Sequence, residues 1–165
     1  MTKQKSRIIF ALMLIVILSV NMLTLLTGCQ DKRIIGEIND QASVALIKYE
    51  TIDKDMSGIV YREILDLPSF LASATKPVLL VFYQPGISVQ SQLIPLIEQF
   101  ADDYQDRAEV VFIDAAAKPS LASLYGIETV PSYIAVKSGS ARLTMSGFDE
   151  TTRSGLEQLI DSLAD

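Results

Sequence analysis

Apolar residues are spaced along this chain in three rhythms. Residues 8–26 form a 19-residue stretch with no charged side chain. From about residue 59 onward the apolar runs shorten and become rich in β-branched and aromatic residues, with proline, glycine or polar clusters at their ends. That is the pattern of strands. Val78-Leu79-Leu80-Val81-Phe82-Tyr83, held between Pro77 and Pro85, is the plainest case, and Val110-Val111-Phe112-Ile113 is a second. The third rhythm starts after Pro85-Gly86. Val89, Leu93, Leu96, Ile97 and Phe100 recur at threes and fours, so one face of a helix is apolar.

Read in order, the pattern predicts strands over 59–64, 78–83, 109–114, 132–136 and 142–146, and helices over 67–74, 88–105, 119–125 and 151–163. Ser138-Gly139 turns the last two strands into a hairpin. Asp66 stands near the start of the first helix, and Pro119 and Gly126 bracket the third. Strands alternating with helices and ending in a hairpin imply an α/β fold, a mixed sheet with two helices on each face. Between residues 29 and 57, Ala42, Ala45, Leu46, Tyr49 and Ile52 recur near helical spacing behind Asp40, which predicts a short helix. Residues 53–58 read as a loop. Its acidic first and third positions suggest calcium, but Ile64 stands where a calcium loop needs glutamate.

Composition changes the picture mainly at the N-terminus. Lys3, Lys5 and Arg7 precede the long apolar stretch, and Leu26-Thr27-Gly28-Cys29 follows it. A basic head, an apolar core and small residues before a cut describe a secretory signal peptide. Leu-Thr-Gly-Cys resembles a bacterial lipobox, whose cysteine is lipidated and becomes the first residue. The resemblance implies a signal peptide over 1–28, lipidation at Cys29, a juxtamembrane segment over 29–57 and a domain over 58–165. Uncleaved, the same stretch is long enough to span a bilayer. Loss of three of the 14 basic residues, against 20 acidic ones all downstream, takes the net charge from −6 to −9. A domain so acidic repels nucleic acid and anionic head groups.

The central run, Lys76 to Pro95, resembles the active-site segment of thioredoxins, which typically reads Phe-Trp-Ala-Pro-Trp-Cys-Gly-Pro-Cys-Lys. Phe82 and Pro85 match, Tyr83 keeps an aromatic, and Pro95 falls where the family's helix is kinked. Tyr125-Gly126-Ile127 precedes Val130-Pro131-Ser132, where the family has its cis-proline, and Gly139 and Gly147 match the glycines around the final hairpin. The resemblance covers roughly residues 59–163. It implies the thioredoxin-like layout, a cis Val130–Pro131 bond, and a peptide groove framed by Tyr83, Val130 and Pro131 beside Ile87 and Val89.

The departures bear on function. The family's Cys-Gly-Pro-Cys is Ile87-Ser88-Val89-Gln90, and its buried aspartate is Val81. Disulfide exchange needs an attacking thiolate and a resolving thiol. The chain's one cysteine is Cys29, and it has no histidine. Histidine-based triads, cysteine nucleophiles and Cys/His zinc sites are therefore excluded. Ser88 has no adjacent base, so it reads as a helix cap rather than a nucleophile. Asp102-Asp103 and Asp149-Glu150 are neighbours in sequence, not carboxylates across a cleft. No catalytic residue, cofactor or metal is expected. Two readings follow. One is a redox-inactive, lipid-anchored module facing outside the cytoplasm that binds an extended peptide or protein. The other is an oxidoreductase that works only with a partner's thiols.

Overall fold

The computed structural model describes residues 42–53 and 56–163. The expected signal peptide, Cys29 and the first part of the juxtamembrane segment lie outside the described residues. Six strands and four helices follow: β1 (Val44–Asp53), β2 (Met56–Glu63), α1 (Leu67–Ser73), β3 (Val78–Tyr83), α2 (Gln90–Asp103), β4 (Glu109–Asp114), α3 (Pro119–Leu124), β5 (Ser132–Lys137), β6 (Ser140–Ser146) and α4 (Thr152–Asp161). The strands form one sheet in the order β2-β1-β4-β3-β5-β6.

Strand β3 lies parallel to β4, from Val78 opposite Glu109 to Tyr83 opposite Asp114, and antiparallel to β5. All six of its residues are buried. A strand covered on both faces reads as a continuous apolar run, which is why it was so visible. Its side chains divide by the strand period of two. Leu79, Val81 and Tyr83 join a core with Leu93, Ile97 and Phe100 of α2 and Leu156 and Ile160 of α4. Val78, Leu80 and Phe82 join a second core with Leu67 and Leu71 of α1 and Ala122 of α3. Two helices therefore cover each face, as the pattern predicted.

Helix ends follow local chemistry. Asp66 accepts the Ser69 backbone N–H at 3.1 Å and the Ser69 hydroxyl at 2.6 Å, and Pro68 occupies the first turn of α1. Pro95 lies inside α2, and the predicted ends of α2 and α4 each frayed by about two residues.

The start of the domain differs from expectation. Residues 44–53 are a strand, not a helix. Val44, Ala45, Leu46 and Ile47 pair antiparallel with Ile113, Phe112, Val111 and Val110. The same residues satisfy both periods. Ala45, Leu46 and Tyr49 suit a helix, while Val44/Leu46 and Ile47/Tyr49 suit two faces of a strand. Buried strands lack the alternation that would separate the two readings. Most of the predicted loop over 53–58 is strand instead, because β1 reaches Asp53 and β2 starts at Met56. The sheet thus begins at residue 44 rather than after 58.

Candidate functional site

Beyond Tyr83 the chain turns through Gln84-Pro85-Gly86. Gly86 has φ +82°, a left-handed conformation open to glycine. The Ile87 N–H donates to the Gln84 carbonyl at 3.4 Å, and the Gln90 N–H donates to the Ile87 carbonyl at 3.0 Å. This tight turn delays α2, whose cap is Val89 by backbone alone. Ser88 is therefore exposed and outside the cap, contrary to the cap role expected for it. The Gln90 side chain does the local closing instead. Its Oε1 accepts the Gly86 N–H at 2.5 Å. At the two positions that matter for thiol chemistry stand a half-buried isoleucine packed on the α2 side of the core and an amide spent on its own turn. Neither can attack a disulfide.

On the other side of the turn, the Val130–Pro131 bond is cis. The Ser132 hydroxyl donates to the Thr129 carbonyl at 2.7 Å, and the Gly147 N–H donates to the Pro131 carbonyl at 2.9 Å. Pro131 is buried and Val130 half-buried. Strand β5 begins only at Ser132, so among the described residues no backbone group pairs with the Val130 N–H.

Two recesses border the turn. Ile87, Ser88 and Gln90, with Ile94 and Pro95, line a recess of about 440 Å³. Val130 lines another of about 380 Å³ with Gln84, Ala115, Ala116, Ala122 and Ile127. Tyr83 frames neither. It is 4% exposed and packs on Phe112 with ring centroids 5.0 Å apart. The correction follows from the strand period: Tyr83 points into the α2-side core, and its neighbour Gln84 is the residue that reaches the surface beside Val130. Val89 lines neither recess.

Gln84, Ala115 and Ala116 went unnoticed in the sequence. The available signal was positional, since they follow the carboxyl ends of the two parallel strands, where open α/β sheets place their ligands. Asp114 Oδ1 shapes this corner by accepting the Ala116 and Ala117 N–H groups at 2.9 and 3.1 Å.

Val81 is paired with Tyr133 of β5. Among the described residues the buried Tyr133 hydroxyl has no hydrogen-bond partner, and burial, with some help from Asp149, pushes its pKa well above the usual phenol range. It remains a neutral phenol and offers no base in place of the missing aspartate. The acidic pairs have structural duties. Asp103 bridges to Arg153 at 2.6 Å, and Asp149 accepts the Thr151 N–H at 2.8 Å and its hydroxyl at 2.7 Å. Among the described residues no three His, Cys, Asp or Glu side chains gather as a metal site would require.

Comparison with known proteins agrees with this geometry. The Thioredoxin family pattern matches residues 65–162. A thioredoxin of Chlorobaculum thiosulfatiphilum is 31% identical over 60% of this chain and 82% of its own length. A thioredoxin-like protein of Synechocystis is 27% identical over 57% of this chain and 90% of its own. Among solved structures, a mutant thioredoxin of Halobacterium salinarum superposes with a TM-score of 0.54 at 25% identity, covering 63% of this chain and 88% of that one. The match begins after β2, leaves the β1–β2 hairpin outside it, and spans the turn, α2 and the cis-proline corner together. With more than half its length so matched, the chain belongs to the thioredoxin family.

Proposed function

We propose that this protein is a redox-inactive member of its family, anchored by a lipid at Cys29 to the outer face of the bacterial cytoplasmic membrane, and that it binds an extended polypeptide segment at the Gln84–Val130 corner. The observation that carries the reading is Ile87 and Gln90 at the start of α2 in a chain whose one cysteine is Cys29. With no thiol in the fold, neither the mixed disulfide nor its resolution can occur within this chain. What stays available is main chain. The Val130 N–H is unpaired among the described residues and borders a recess of mixed lining, in which Ala115, Ala116, Ala122 and Ile127 are apolar and Ser123 and Glu128 polar, which suits strand addition with one side chain seated in the pocket. Gln84 and Thr129 supply polar groups at its edge.

Two measurements test this. An insulin-reduction assay with the full chain should give no turnover above a no-protein control. A photo-crosslinking residue in place of Thr129 should trap a polypeptide on intact cells, and the same residue in place of Glu157 on α4 should not. Turnover in the first assay, or equal trapping at both positions, overturns the reading. The anchor is checked by mass spectrometry of the N-terminal peptide, where a diacylglyceryl cysteine is expected. An unmodified thiol with residues 1–28 attached would refute it.

A further inference from the structure

Among the described residues three large apolar side chains are exposed, and two of them stand together. Leu65 is 90% exposed and Leu124 is 76% exposed. Both rim one recess of about 440 Å³ that is also lined by Val44, Ile64, Pro68 and Leu121. Single exposed leucines are ordinary on a protein surface, but a shared apolar hollow with two of them at its lip is a patch. Its position matters more than its size. The described chain begins at Ala42, two residues before Val44 in the wall of this recess. Only about a dozen residues separate Ala42 from Cys29, and they reach at most roughly 45 Å. The first described residues therefore stand at the edge of the patch.

We infer that the Leu65–Leu124 patch rests on the lipid surface, with both leucines inserted among the head groups and upper acyl chains. The inference depends on the anchored reading given above. Tethering makes a weak contact effective. Two leucines would hold a free protein poorly, but an anchor keeps the patch at high local concentration beside the bilayer. Polar groups at the rim are compatible with this place. Lys118 lines the recess and can meet lipid phosphate. Asp66, the acid at the rim, is turned onto Ser69, and those hydrogen bonds hold its carboxyl below the usual carboxylate range. The domain's acidic charge opposes anionic lipid at long range, so the contact is apolar. Pro119 lines both this recess and the one beside Val130. A patch at the lipid surface therefore puts the peptide corner near the membrane plane.

The chain contains no tryptophan, so a single introduced one reports its own surroundings. Full-length Leu65→Trp, Leu124→Trp and Leu143→Trp would be reconstituted in phosphatidylcholine vesicles, with and without brominated acyl chains. Leu143, the third exposed leucine, lies on β6. Tryptophan at 65 and at 124 should emit at shorter wavelength than at 143 and lose intensity in brominated vesicles. Tryptophan at 143 should do neither. In phosphatidylglycerol vesicles the quenching should be weaker at low salt and recover as salt is added. Quenching no greater at 65 and 124 than at 143 overturns the inference. So does a short-wavelength emission without quenching, which would mean that a second copy or another segment of this chain covers the patch. Salt that weakens the quenching also overturns it. The mass of the N-terminal peptide reads the anchor separately, so an unmodified Cys29 with quenching intact would refute the lipid anchor and leave the patch standing.

Discussion

At its start α2 presents Gln90, beside Ser88 of the preceding turn, to an open recess, whereas two turns later it presents Glu98, 7% exposed, to the hydroxyl of Tyr61 on β2. The first end is local. Its bonds run between residues 84 and 93, and a change there disturbs one turn. The second end is long-range. Tyr61 donates to Glu98 across 37 positions and stacks on Phe112, with ring centroids 6.3 Å apart. Phe112 in turn meets Tyr83 of β3. This contact ties the β1–β2 hairpin, which lies before the family match, to the matched domain. The start of the helix is held by bonds within one turn, whereas the stretch around Glu98 holds the hairpin.

The sharpest way to break that difference is at its centre. Phe112→Ala should cost about 3–5 kcal/mol, the usual loss for a buried phenylalanine. Urea unfolding of the domain would measure it. Tyr61→Phe comes next. It leaves the Glu98 carboxylate buried without its donor, which should cost about 1–3 kcal/mol. Adding Glu98→Leu to that variant should restore much of the loss, because two apolar groups replace a broken polar pair. A double variant weaker than the sum of its parts would deny the pairing.

High pH acts on the same region. Burial first, and then the hydrogen bond to Glu98, raise the Tyr61 pKa above its ordinary value, and burial raises that of Tyr133. A folded phenol that keeps its proton stabilises the fold below the unfolded pKa of about 10. That contribution is lost as pH climbs above it. Thermal midpoints should therefore fall steeply beyond about pH 10, and less steeply in Tyr61→Phe.

The other end of α2 should respond mildly. Gln90→Ala frees the Gly86 N–H, but that group is exposed and water replaces the amide, so the loss should stay under about 1 kcal/mol. The smallest effect is acidic. Side-chain hydrogen bonds from Ser69 and Thr151 lower the pKa values of Asp66 and Asp149. Their stabilisation is present above the unfolded carboxylate pKa of about 4 and fades as pH falls through the lower folded values. Both groups are solvent-exposed, so the change in midpoint should be small, and Asp66→Asn should diminish it.

Much of this molecule was determined by residue identity alone. Strands β3 and β4 are apolar on both faces and bounded by proline or polar residues, so no other element suits them. The spacing of Leu93, Ile97 and Phe100 suits only a helix. The absence of sulfur at Ile87 and Gln90 is likewise a fact of identity, since no packing can supply it. Tertiary structure decided what those identities left open. Residues 44–52 satisfy a helix and a strand equally, and the edge of β4 selected the strand by offering four paired positions, Val110 to Ile113. Tyr83 and Gln84 are adjacent, yet the pleat sends one into the core and the other to the corner beside Val130. Leu65 and Leu124 lie far apart in sequence, and neither belongs to an apolar run. They meet at one recess because α1 and α3 cover the same face of the sheet, a neighbourhood that appears only once the sheet order is set. Local spacing can specify an element, but which surfaces face each other depends on contacts between elements that have no signature in either one.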